Sequence, residues 1–164
     1  MPHKEKELRE TRCCFTGHRP EKLNCSEADI IAELDAGIDA AIDDGFTTFI
    51  SGMSRGVDLW AAQLVLAKRE NNRNIRLISA VPYKNFEKRW SKQWQQIYNS
   101  VLNSADLVKI FSDTFNYQSI HQRNRWMVDH SARMIAAYNG STGGTKNTIL
   151  YARQLGLDIR YIFL

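Results

Sequence analysis

Short apolar runs alternate along the chain with stretches of helical periodicity. Six runs have the length and residue types of strands: 13–16, 47–51, 75–81, 107–111, 134–138 and 159–163. Between the first two, Ile31, Leu34, Ile38 and Ile42 recur at helical spacing, with Ser26 as N-cap and Gly45 as terminator. Val57, Trp60, Ala61, Leu64 and Ala67 mark a second helix, closed by the polar residues 71–74. Further helical stretches lie within 86–102, over 119–130 and over 145–155. This alternation predicts an α/β fold: a Rossmann-like, doubly wound, mainly parallel sheet in a three-layer α/β/α arrangement. A strand order of 3-2-1-4-5-6 would bring the carboxyl ends of strands 2, 1, 4 and 5 together, and ligands of such sheets bind there.

Length and composition refine this picture. At 164 residues, the chain is read as one domain over 11–164, with 1–10 compatible with a flexible tail. The net charge of +4 permits anionic partners without demanding nucleic acid. Three cysteines, two of them adjacent in a strand, read as free thiols of a reducing compartment. The charged first ten residues lack the apolar core of a signal peptide, and no run is long enough to span a membrane. A cytoplasmic location without membrane contact is therefore expected. Aromatic content on the helices points to a homo-oligomer. No His/Cys spacing suits a metal, and no Walker lysine motif occurs.

Candidate chemistry gathers where strands end. After the second strand, Ser51-Gly52-Met53-Ser54-Arg55-Gly56-Val57-Asp58 reads as a glycine-containing loop opening a helix. Its glycines suit positive φ or close backbone approach, and Arg55 suits phosphate or carboxylate. The alternative is an ordinary turn with Asp58 complementing the helix dipole. After the first strand, Thr16-Gly17-His18-Arg19-Pro20 offers a tight exit, a histidine and a cation. On the fourth helix, Arg123 and Asn124 lie between Ile120 and Met127 on the sheet-facing side. Such a cation needs a partner, either Asp129 or another carboxylate, or a ligand's phosphate or ribose. After the fifth strand, paired Gly143 and Gly144, then Thr145 and Thr148, suit an anion cradle at a helix start. The segment 82–90 mixes bases with aromatics, as single-strand binders do, and is equally read as a solvated helix start.

The segments 16–20, 51–58, 123–129 and 143–145 resemble the SLOG superfamily, which groups the Smf/DprA proteins with the LOG proteins. The resemblance spans nearly the whole chain and is closest to the stand-alone YpsA-like branch of bacterial and phage proteins. It implies a Rossmann-like fold and a nucleotide-type ligand, ADP-ribose-like molecules included, with no required cofactor. LOG enzymes cleave nucleoside 5'-monophosphates. Arg123 takes the place of their helix arginine, but the glutamate that follows their glycine loop is absent after Gly143-Gly144-Thr145, where Ile149, Leu150 and Tyr151 stand. The expectation is a nucleotide sensor or sequestering protein. The alternatives are a LOG-like hydrolase using Arg123 with Asp58 or Asp129, and DprA-like single-stranded DNA binding, which the modest charge disfavours.

Overall fold

The structure, a computed structural model, describes residues 3–163. Six strands form one all-parallel sheet: β1 (Arg12–Gly17), β2 (Thr48–Ser51), β3 (Arg76–Val81), β4 (Leu107–Ile110), β5 (Arg133–Tyr138) and β6 (Asp158–Phe163). The helices are α1 (His3–Arg9), α2 (Glu27–Asp43), α3 (Val57–Asn71), α4 (Lys92–Ser104), α5 (Tyr117–Asp129) and α6 (Gly144–Gln154). The segment read as a tail thus contains α1, where Glu5 pairs with Arg12 and Arg9 donates to the Ser131 carbonyl at 3.0 Å.

Helices α2, α3 and α4 cover one face of the sheet, and α5 and α6 the other. Adjacent Cys13 and Cys14, both fully buried, fall in the two different cores, as strand alternation requires. Burial pushes both thiols up, that of Cys14 to about 12, so they act as packing groups. On α2 the buried stripe is Ile30, Leu34, Ile38 and Ala41, with Ile31 and Ile42 only partly buried. The first half of α3 is buried on nearly every side, because it packs on the sheet, α2 and α4 together.

Two expectations need correction. The strand order is β4-β3-β2-β1-β5-β6, so β4 sits at the sheet edge and not between β1 and β5. An apolar run such as Leu107-Val108-Lys109-Ile110 reads as a buried strand, yet all four residues are exposed. The chain must therefore return from the edge to the centre before β5, and α5 carries it back beneath β3. The switch point lies between β1 and β5. Residues 83–90 form turns in place of the first part of the third helix. Phe86 packs edge-on against both Tyr83 and Trp90, and α4 starts only after Ser91 caps the Trp94 amide.

Candidate functional site

A crevice of about 450 Å³ opens at the carboxyl ends of the strands, beside the switch point. It is lined by Thr16, Gly17, His18 and Arg19 from β1 and its loop, by Asp58 on α3, and by Arg123 and Asn124 on α5. Gly143, Gly144, Thr145 and Thr148 line it from the start of α6. A smaller cavity of about 230 Å³ shares Asn124, Gly144 and Thr148 with it.

The glycines have distinct reasons to be there. A Cβ on Gly17 would lie 2.5 Å from Val57 Cγ2, so β1 and the start of α3 meet only because that atom is missing. Gly56 has φ +88° and Gly143 φ +135°, conformations that L side chains rarely adopt. Each is the N-cap of its helix without supplying a side-chain hydrogen bond. Helix α6 also has no acid in its first turn, so its opening amides and dipole face the crevice uncompensated. Arg19 and Lys22 stand nearby, and neither has an ion-pair partner among the described residues. Two cations and a helix N-terminus at this end favour an anion.

His18 is only 4% exposed and stacks on Tyr138 at 5.5 Å. Its buried Nε2 has no hydrogen-bond partner among the described residues. Burial lowers its pKa, the Lys22 charge lowers it further, and the Asn139 side chain opposes both. A buried neutral imidazole with an unmatched nitrogen is suited to a ligand hydroxyl or phosphate oxygen.

At the crevice floor, Arg123 is 4% exposed. Its Nη1 donates to the carbonyls of Gly52 and Ala80, and its Nε donates to Asn124 Oδ1 at 2.8 Å. Its Nη2 has no acceptor among the described residues. Asp58 is 8% exposed and, among the described residues, is the only carboxylate lining the crevice. Burial raises its pKa to about 6, with the Arg123 charge and the Ser54 amide opposing that rise. Gly52 separates the two groups: a Cβ there would lie 2.8 Å from both Arg123 Nη1 and Asp58 Oδ2. Its φ is not positive, so this glycine is needed for space.

The remaining sequence candidates are supports. Ser51 Oγ donates to the Asp58 carbonyl and accepts the Met53 amide, holding Met53 at φ +66°. Arg55 pairs with Glu21 at 2.6 Å and lies over Trp90. Asp129 lies outside the crevice and accepts the Tyr151 hydroxyl at 2.6 Å, so it is not the partner of Arg123. The lining also includes Phe86, from the base- and aromatic-rich segment 82–90, and Lys22 and Tyr117, which the sequence does not single out. They come from the loop after β1, the turns after β3 and the first residue of α5, whose proximity depends on the strand order.

Among the described residues, no group of three or more His, Cys, Asp or Glu could hold a metal ion, and no helix is long and apolar enough to cross a membrane. The sequence model of the YspA SLOG family matches residues 13–156. The chain is 30% identical over 118 residues to the uncharacterized SPbeta prophage-derived protein YoqJ of Bacillus subtilis, covering 65% of this chain and 69% of that one. It is 27% identical over 139 residues to a UPF0398 protein of Bacillus pumilus, covering 79% and 74%. Among solved structures it is similar to DNA processing protein A (DprA) from Streptococcus pneumoniae, with TM-score 0.63, 17% identity and 94% of this chain covered. It spans 50% of that DprA chain. DprA from Helicobacter pylori, whose structure is described for its single-stranded DNA binding mode, gives TM-score 0.65 and 15% identity over 98% of this chain and 68% of that one. The likeness to both DprA structures is one of fold. With its family model matched from the first strand to the end of α6, this chain belongs to the YspA SLOG family.

Proposed function

We propose that the chain binds a nucleotide or nucleotide-derived phosphate ligand in the switch-point crevice and acts as a sensor or sequestering protein. One observation carries the reading. The uncapped first turn of α6 shares one cavity with His18 and with Arg19 and Lys22, two cations that have no ion-pair partner among the described residues. Helix N-termini bind anions through free amides and dipole, and phosphate is the common biological anion of that geometry. A thermal-shift screen over nucleoside monophosphates, NAD, ADP-ribose and cyclic ADP-ribose tests it, because a ligand bound only by the folded state raises the melting temperature. No shift at millimolar concentrations would overturn it.

A second reading, nucleotide hydrolysis of the LOG type, draws on one feature: Asp58 lines the crevice with its pKa raised to about 6, near the range of a general acid. The first reading is favoured, because that carboxyl sits at the floor beside Gly52 and Arg123, and no glutamate follows the glycine loop. Chromatography of reaction mixtures for free base and ribose 5-phosphate separates the two. The fold shared with DprA makes a single-stranded oligonucleotide a third arm of the same screen. For the assembly we propose a homodimer. The β4 edge is unpaired and exposes Leu107, Val108 and Ile110, and a two-fold pairing of β4 with itself would cover all three.

A further inference from the structure

The crevice has two chemically unlike ends. On the β1 and β5 side it carries Arg19, Lys22 and the first turn of α6. On the β3 and β4 side it carries Phe86 and Tyr117. The strand order β4-β3-β2-β1-β5-β6 keeps these ends apart, because β2 lies between β3 and β1.

The aromatic end is built as a connected series. Tyr117 packs edge-on against Phe115 at 5.1 Å, Phe115 against Tyr83 at 5.2 Å, and Tyr83 against Phe86 at 5.2 Å. The Arg123 guanidinium lies 5.9 Å from the Phe86 ring centre, tying the series to the crevice floor. Yet Tyr117 is 72% exposed and Phe115 56% exposed. Edge contacts hold Tyr117 in position while most of its surface stays open at the mouth of the cavity.

A nucleotide has the same polarity, with an anionic phosphate at one end and a flat π-system at the other. We infer that Tyr117, backed by Phe115 and Phe86, is a stacking shelf for a nucleobase. The ligand then lies with its phosphate on α6 and its base at the β3 and β4 end. The inference rests on the nucleotide reading above and adds the ligand's orientation and the requirement for a base. The crevice, about 450 Å³, is within the size range of small-molecule sites. Base–aromatic stacking contributes roughly 5- to 150-fold in affinity per base.

The test is calorimetric titration of the whole protein with AMP, ADP-ribose and ribose 5-phosphate, the last having the phosphate but no base. The variants are Tyr117→Ala and Tyr117→Phe. Tyr117 is exposed enough that neither should disturb folding, which melting curves check. AMP and ADP-ribose are expected to bind at least roughly 5-fold tighter than ribose 5-phosphate. Tyr117→Ala should remove that advantage and leave ribose 5-phosphate unchanged, and Tyr117→Phe should keep it. Equal binding of AMP and ribose 5-phosphate, or a Tyr117→Ala variant that binds AMP as wild type does, overturns the shelf and leaves the phosphate reading standing. A Tyr117→Ala loss equal for all three ligands also overturns it. If none of the three binds the wild type, the nucleotide reading fails first.

Discussion

Replacing Gly52 by alanine tests how the crevice floor is held. The added Cβ would lie 2.8 Å from Arg123 Nη1, 2.8 Å from Asp58 Oδ2 and 3.1 Å from Arg123 Cζ. All three atoms belong to side chains, so the backbone need not move and the guanidinium must retreat. Retreat breaks its bond to the Gly52 carbonyl, and a hydrogen bond to a charged group is worth about 1.5–3 kcal/mol. Opposing this, a glycine-to-alanine change at ordinary φ stabilises by about 0.4–1 kcal/mol through the unfolded chain. The net expectation is a loss of about 0.5–2.6 kcal/mol, or ~1–10 °C in melting temperature for a chain of this size. Scanning calorimetry measures it. The double variant with Arg123→Met supplies the internal check, because the guanidinium's share of the alanine's cost should disappear and only the contact with Asp58 Oδ2 remains. A Gly52→Ala protein as stable as wild type would refute the reasoning.

Three further expectations follow from the same geometry. Because Arg123 holds the Asp58 pKa down, Arg123→Ala should raise it further above about 6, read by carboxyl NMR titration, and should also destabilise the fold by roughly 1.5–3 kcal/mol. The folded protein keeps the Asp58 proton up to about pH 6 and the unfolded chain only to about 4. Wild type should therefore lose stability relative to Asp58→Asn as pH rises through that window, by on the order of 3 kcal/mol. His18, with its lowered pKa, acts in the opposite sense and cancels in that difference, so a flat difference in denaturation midpoint would contradict the assignment. Ile110→Lys at the exposed edge should convert the proposed dimer to monomer in light scattering, and a wild type already monomeric at high micromolar concentration would remove the edge pairing.

Much of the fold was legible because periodicity is local. All six strands appear within a residue or two of where the pattern puts them. Strand order was not legible, because hydrophobicity does not separate the edge strand Leu107-Val108-Lys109-Ile110 from a central one. That single difference sends α5 back beneath β3 and carries Arg123 to the Gly52 and Ala80 carbonyls. Gly56 and Gly143 were legible from the loop chemistry, since each takes a positive φ. Gly52 looked the same in the sequence but serves by leaving space between two charged side chains, a property of tertiary packing. Asp58, read as a dipole-complementing charge, is a buried carboxyl for the same reason. The aromatic rim was only partly legible: Phe86 lies in turns where the pattern puts a helix, and Tyr117 opens α5 just before the helix start that the pattern predicts at 119.

Amide chemical-shift mapping tests the central claim most directly, since it reports both binding and its location even when affinity is weak. Titration of isotope-labelled protein with AMP or ADP-ribose should shift the amides of Gly17, His18, Gly143, Gly144 and Thr145 together along one saturation curve, and leave Leu107–Ile110 unmoved. No shifts at millimolar ligand, or shifts confined to residues outside the crevice, would contradict the account.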